Sequence, residues 1–228
     1  MNKNAVIILS GGLDSATCLA IAKNTGFACH AITFDYGQRN RIEIESAKKV
    51  CAQLQVASHI LFKLPINQFK GSSLTDNSIT VPEFNKDDDD IPSTYVPARN
   101  TIFLSIALGY AETLSASSIF IGVNAIDYSG YPDCRPEYIS AFEKVASLAT
   151  KSGVFGEKFK IQTPLIDMQK KDIIKKGISL GVDYSLTTTC YNPSTEGFAC
   201  GNCDSCHHRK EGFSAAGVND PTIYKKTI

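Results

Sequence analysis

AVIILSGGLDS, residues 5 to 15, decides the fold. Its apolar half, Ala5 to Leu9, is far too short to span a bilayer and has the length of a buried strand. The run stops at Ser10-Gly11-Gly12, and a helix is predicted from Ser15 to Asn24. A strand that empties through small residues into a helix leaves backbone N–H groups unpaired at the helix start, with no bulky side chain in front of them. That is an anion site. Gly11 and Gly12 lack Cβ, so the backbone is free to take unusual dihedrals and approach a ligand, while Ser10 and Ser15 add hydroxyl donors. Asp14 is discordant, because a carboxylate repels phosphate. Either a magnesium ion bridges Asp14 to a pyrophosphate, or Asp14 simply caps the helix.

Outward from this loop, Phe27 to Phe34 reads as a second strand. Arg39 to Leu54 reads as a helix carrying Ile42, Ile44, Val50 and Leu54, and Ala57 to Leu64 as a third strand. The βαβαβ order predicts an α/β fold, a parallel sheet with helices on both faces, whose ligands bind at the carboxyl ends of the strands. Periodicity is lost from Pro65 to Ala98, a stretch expected to be a lid or disordered. Its acid run, Asp87 to Asp90, reads as a solvated block, with a metal site as the lesser alternative. Order resumes at Asn100, in a helix with Ile102, Phe103, Ile106, Ala107, Tyr110 and Leu114 on one side. There follow a strand from Ser118 to Val123, a polar loop from Asn124 to Arg135 and a helix from Pro136 to about Thr150. Gln169 to Leu180, ended by Gly181, is expected to close a nucleotide-binding domain of residues 1–185, leaving 186–228 as a small C-terminal region.

Lys plus Arg balance Asp plus Glu at 23 each, so no net field draws the chain to nucleic acid or to an anionic membrane. No basic patch stands out, and direct nucleic-acid binding is not expected. The N-terminus lacks a signal peptide's basic region and cleavage site, which predicts a cytoplasmic protein with no membrane partner. The eight cysteines are then thiols with individual uses rather than a disulfide scaffold. Cys200-x-x-Cys203-x-x-Cys206, with Cys190 upstream, has the spacing of a closed tetrahedral site, and turn formers fill both gaps. One structural zinc per chain is the reading preferred over an iron–sulfur cluster. Alternatives are His207 or His208 in place of Cys190, and a nucleic-acid-reading ribbon that uses His207, His208, Arg209 and Lys210. Cys18, Cys29 and Cys51 lie in apolar contexts as ordinary core residues.

SGGLDS is neither a Walker loop nor a Gly-x-Gly-x-x-Gly fingerprint. It resembles the PP-loop of the ATP pyrophosphatases, the adenine-nucleotide α-hydrolase-like superfamily, which implies cleavage of ATP between its α and β phosphates and activation of an oxygen as an adenylate. FDYGQR at 34–39, VPARN at 96–100, DYSGYPDCRPE at 127–137 and TCY at 189–191, leading into the cysteines, together resemble the 7-cyano-7-deazaguanine synthase family of queuosine biosynthesis. Two positions depart from that pattern. Asn40 stands where His is usual, which removes an imidazole from acid–base work, and Ala98 stands where Gly is usual.

The resemblance implies conversion of 7-carboxy-7-deazaguanine and ammonia to the nitrile with ATP, in a homodimer. It places ATP on Leu9, Ser10, Gly11, Gly12, Leu13, Asp14, Ser15 and Arg99, with Asp14 on the magnesium that accompanies ATP. Asp14, Arg99 and Lys170 are the candidate catalytic residues; Lys170 would neutralise departing pyrophosphate or else be an ordinary solvated lysine. Arg39 and Arg99 have the guanidinium fork that a phosphate or carboxylate needs, or they form surface ion pairs. Tyr36, Gln38, Arg39, Asn100, Asp127, Tyr128, Ser129, Tyr131, Asp133 and Arg135 are the candidate substrate contacts. Asp127 to Arg135 offers carboxylates and aromatic faces for a deazapurine, although its acids also suit a turn that caps the helix at Pro136. Cys134 has no His in the neighbouring sequence to activate it and is read as non-catalytic. The competing readings are a tRNA thiolase of the same superfamily and a non-enzymatic zinc-ribbon binding module.

Overall fold

A computed structural model describes residues 3–85, 91–126 and 131–226. Five parallel strands form one sheet: β1 (Lys3–Ile8), β2 (Phe27–Asp35), β3 (Ser58–Lys63), β4 (Ser118–Ile121) and β5 (Lys160–Gln162), in the order β3-β2-β1-β4-β5. The helices are α1 (Leu13–Asn24), α2 (Ile42–Gln53), α3 (Arg99–Thr113), α4 (Pro136–Ala149), α5 (Lys151–Val154), α6 (Lys170–Ser179) and α7 (Asp204–Ala216). The chain moves outward from β1 through β2 to β3, then crosses back to β4. The strand order therefore reverses beside β1, and its carboxyl end opens into the crevice where such sheets bind ligands.

β1 shows why the sheet is covered on both sides. Ala5, Ile7 and Leu9 point into one apolar cluster, with α1, α2, α6 and Phe213 of α7. Val6 and Ile8 point into the other, with α3 and α4. Each fully buried aliphatic side chain, such as Ile7, Ile32 or Leu104, contributes on the order of 1.5–3 kcal/mol.

The expected elements are present, with four differences. α3 buries Asn100, Phe103, Leu104, Ala107, Leu108 and Ala111, so its inner face is centred one residue further along than the expected stripe; Ile102, Ile106, Tyr110 and Leu114 flank it. β5 was not anticipated, since three residues carry no readable period. α7 was not either, because its surface is polar and its cysteines dominate the reading. The stretch after β3 is pinned rather than free. Ser73 N–H donates to the Ser93 carbonyl (2.8 Å), and the Arg39 guanidinium holds the carbonyls of Asp76 (3.1 Å) and Ile79 (2.9 Å). Asp87 to Asp90 lie outside the described residues. Among the described residues, no helix is long and apolar enough to cross a membrane.

Ala98, the departure from glycine, sits immediately before α3 with φ 53° and ψ 24°. A side chain there carries a steric cost of about 1–2 kcal/mol, partly offset by the lower entropy of alanine in the unfolded chain. Ala98→Gly is expected to raise unfolding stability by about 0.5–1 kcal/mol. Urea denaturation checks this, and an unchanged or lower midpoint contradicts it.

Candidate active site

The phosphate loop is fixed by small side chains and by its own hydroxyls. Gly11 has φ +90°, and a Cβ there would lie 2.2 Å from the Glu43 carbonyl oxygen and 2.6 Å from the Ala47 nitrogen. Its glycine is therefore required for close approach to α2, not to a ligand. Ser15 Oγ accepts from the Ser10 N–H (3.2 Å) and donates to the Gly12 carbonyl (3.1 Å), while Ser10 Oγ accepts from the Gly12 N–H (3.2 Å). Gly12 is the N-cap of α1, with no side-chain capping bond. The first-turn residues Leu13, Asp14 and Ser15 line the crevice, where the helix dipole favours an anion.

Asp14 is a first-turn residue and not a cap. Both of its oxygens accept from Lys170 Nζ, at 2.8 and 2.9 Å. Lys170 opens α6 and is buried, its stem lying where α7 crosses at Gly212; a Cβ on Gly212 would come 2.4 Å from Lys170 Cγ. As placed, Asp14 faces a cation through both oxygens, and a magnesium ion there would use the lone pairs of its carboxylate that Lys170 leaves open.

The crevice encloses about 1100 Å³, including its open mouth. Ser10, Gly12, Leu13, Asp14 and Ser15 form its floor, and Thr188, Thr189, Tyr191 and Ser205 form one wall. Phe34 and Phe103 stack at 4.0 Å and 12° in the opposite wall, with Tyr36 edge-on to Phe103 at 5.4 Å. The Arg99 guanidinium lies 6.0 Å from the Phe103 ring. Glu43, in the first turn of α2, lines the same space. Burial pushes its carboxyl up to about 7 against the opposing pull of Gln38 and Arg99. Burial and then Glu43 push the Tyr36 hydroxyl up to about 12, so the phenol stays neutral.

Of the residues expected from sequence, Leu9, Ser10, Gly12, Leu13, Asp14, Ser15, Tyr36, Arg99, Asn100 and Tyr131 line this crevice. Tyr131 is held by a hydroxyl pair with Thr94 at 2.7 Å. Gln38 stands behind the wall: its Oε1 accepts from Tyr36 N–H (2.8 Å), and its Nε2 donates to the Phe34 carbonyl (3.1 Å) and to Glu43 Oε1 (2.9 Å). Arg39 ties down the strap after β3, as described above. Asp133 accepts from Asn100 N–H (3.0 Å), so it anchors the start of α3 rather than of α4. Arg135 is exposed, with Nε on the Pro132 carbonyl (3.1 Å). Asp127, Tyr128 and Ser129 lie outside the described residues. Sequence reasoning missed Glu43, Phe103, Asn124, Thr188 and Ser205 as lining groups. In TCY at 189–191 the sequence gives Cys190 a metal role but none to Thr189 or Tyr191, and an acid in a helix's first turn carries the ordinary meaning of a dipole partner.

The four expected ligands converge. The sulfurs of Cys190, Cys200, Cys203 and Cys206 all lie within 4.8 Å of one another, and this cluster can hold a metal ion. A tetrahedral zinc with arms of ~2.3 Å has S···S edges of about 3.8 Å, and Cys200 and Cys206 are 3.8 Å apart. The Cys190 sulfur also accepts from the backbone N–H of Asn192 (3.3 Å) and Cys200 (3.1 Å), which suits a thiolate. His207 is engaged elsewhere, stacked on Phe84 at 3.5 Å and paired with Glu211 at 3.1 Å. Arg209 is buried on Asp220, Thr187 and the Tyr184 carbonyl and does not present its charge as a ribbon reader of phosphate would, while Lys210 is exposed and donates to the Gly201 carbonyl. Burial raises the thiols of Cys18, Cys29 (to about 11) and Cys51 (to about 12), so these remain protonated core groups. Burial, with Asp133, likewise raises Cys134 to about 11.

A parallel sheet of this order, with a Ser-Gly-Gly loop at its central carboxyl edge, defines the PP-loop class of nucleotide-binding α/β enzymes. Its general shape recurs in an NMN synthetase from Francisella tularensis, at a TM-score of 0.52 and 18% identity over 96% of this chain and 78% of that one; this shows the fold alone. Residues 4–217 match the family model described as queuosine biosynthesis protein QueC. A 7-cyano-7-deazaguanine synthase from Saccharophagus degradans is 58% identical over 98% of both chains. One from Hydrogenovibrio crunogenus is 58% identical over 99% of this chain and 97% of its own. The chain belongs to the QueC family.

The cysteine cluster and the crevice are mechanically joined. Ser205 Oγ donates to the Thr189 carbonyl (2.6 Å), Asn40 Nδ2 donates to the Cys190 carbonyl (2.8 Å), and Val81 packs among the cysteines. Cys203→Ser is expected to lower stability by more than about 3 kcal/mol. Hydrogen exchange in the variant should rise at 188–206 and at 81–85 together; a change confined to 200–206 contradicts the coupling.

Proposed function

We propose that this chain makes 7-cyano-7-deazaguanine from 7-carboxy-7-deazaguanine and ammonia, at the expense of ATP, through two successive adenylations. The single observation that carries the proposal is the near-full-length identity of 58% to synthases of that name. The crevice supports it, since a loop suited to phosphate adjoins an aromatic slot suited to a flat heterocycle.

A carboxylate resists amination because oxide is a poor leaving group. Attack of the carboxylate oxygen on the α-phosphorus of ATP breaks the bond to the β-phosphate and releases pyrophosphate. Ammonia then attacks the acyl carbon, AMP leaves, and an amide results. Adenylation of the amide oxygen by a second ATP, with release of pyrophosphate and loss of one N–H proton, makes that oxygen a leaving group in turn, and loss of AMP with the second N–H proton gives the nitrile.

The N–H groups of Leu13, Asp14 and Ser15 and the hydroxyls of Ser10 and Ser15 hold the phosphates in this scheme. Arg99 faces the substrate carboxylate, with Tyr36 and Tyr131 beside the ring. Lys170, held against Asp14, neutralises departing pyrophosphate. Asp14 would be the protein ligand of magnesium, which would supply charge neutralisation at the phosphates. Zinc on Cys190, Cys200, Cys203 and Cys206 is structural, and fixes the wall formed by residues 188–206. The region 186–228 acts as this zinc-bearing wall against the domain of residues 1–185. The resemblance extends the proposal to a cytoplasmic homodimer.

Incubation of the purified protein with magnesium-ATP, ammonium and 7-carboxy-7-deazaguanine is expected to give the nitrile by mass spectrometry, with AMP release that depends on the deazapurine. Metal analysis of the same preparation is expected to find close to one zinc per chain. Absence of nitrile, or AMP release indifferent to the deazapurine, contradicts the assignment.

A further inference from the structure

Among the described residues, Glu43 is the one carboxylate that lines the crevice besides Asp14, and the two have different partners. Asp14 has a lysine on both oxygens. Glu43 receives a single neutral donor, Gln38 Nε2 at 2.9 Å on Oε1. Gln38 is itself buried and locked by its bonds to Tyr36 N–H and the Phe34 carbonyl, so it orients Glu43 without neutralising it. The helix start that carries Glu43 abuts the phosphate loop, where only a glycine at position 11 clears the Glu43 carbonyl. Glu43 lines the same crevice as Gly12, Leu13, Ser15, Arg99 and Tyr36.

We propose that Glu43 is the proton acceptor for nitrogen in the reaction described above, and this inference rests on that reading. In the first stage, the lone pair of ammonia bonds to the acyl carbon and the C–O bond to the adenylate breaks. AMP leaves with that electron pair, and the proton that nitrogen must shed passes to Glu43. In the second stage the amide nitrogen sheds its two remaining protons: one as the oxygen takes the adenylyl group and the C=N bond forms, and the last as the C–O bond breaks, AMP leaves with that electron pair and the triple bond forms; each passes to Glu43 in turn. The acceptor delivers each proton to solvent before the next.

The groups facing Glu43 are compatible with this work. Arg99 from α3 favours the ionised form, Gln38 from the turn after β2 hydrogen-bonds it, and Tyr36, just after β2, remains a neutral phenol; Asp14, paired with Lys170, lines the same crevice. A carboxyl that titrates near neutrality is matched to accepting and returning a proton at working pH. The sign follows from the raised value: the acceptor is ionised above about pH 7 and idle below it.

The test is Glu43→Gln, which keeps an oxygen to accept the Gln38 bond and so preserves the local structure. At a fixed concentration of free ammonia, wild-type nitrile formation is expected to rise with pH through about 7. The variant should lose a hundredfold or more, and that limb of the profile with it. Hydroxylamine, a nucleophile whose protonated adduct is acidic enough to lose its proton to water, is expected to restore acyl transfer in the variant to within about threefold of wild type, read as the hydroxamate. Nitrile formation by the variant at the wild-type rate, or a hydroxamate yield that falls in parallel with the nitrile, overturns the proposal; the second outcome makes Glu43 a binding residue. A wild-type enzyme that makes no nitrile at all rejects the underlying reaction instead.

Discussion

The missing side chain at Gly11 is the constraint on which the site depends. With φ at +90° and the Glu43 carbonyl and Ala47 nitrogen where a Cβ would project, the loop lies directly against α2. That approach sets the start of α1 against α2, whose Glu43 lines the same crevice. Gly122, at the end of β4, works from the other side: a Cβ there would lie 3.0 Å from the Asp14 carbonyl carbon and the Ser15 nitrogen. The proposed phosphate site is therefore made by three elements packed backbone to backbone, and the crevice is what that packing leaves open.

A second layer of organisation comes from charge. Lys170 reaches Asp14 from α6, and Arg209 reaches Asp220, Thr187 and the Tyr184 carbonyl from α7. Both cations are buried, and each would be costly without its partners. Together with the Gly212 crossing they fasten the C-terminal helix to the nucleotide-binding core, so that residues adjacent to the four cysteines become a wall of the crevice. The strap after β3 completes that wall, held by Arg39 at one point and by Phe84 on His207 at another.

How much of this is legible in the sequence depends on how far away each residue's partner lies. The strand, the glycine loop and the following helix are local, and β1, α1 and the cysteine quartet are read correctly from spacing alone. Arg39 and Asp133 are long-range cases. Each has the chemistry of a ligand contact, but the structure places the guanidinium on carbonyls some forty residues away and the carboxylate on a helix start thirty-three residues earlier. Glu43 shows the converse, since its place in a helix's first turn hides that the turn faces a crevice. β5 is too short to announce itself, and α7 is masked by the metal-ligand spacing within it. Ala98 is instructive in both respects: the departure from glycine is visible in the chain, but the positive φ that gives it a cost is not.

The central claim is that one loop activates two oxygens of the same substrate carbon in succession. 7-Carboxy-7-deazaguanine labelled with oxygen-18 at both carboxylate oxygens tests it directly, with mass spectrometry of every product of a complete turnover. Double adenylation predicts two AMP per nitrile, each bearing one labelled oxygen, and none in pyrophosphate or water. Label in orthophosphate, pyrophosphate or water, or a single labelled AMP per nitrile, would contradict it.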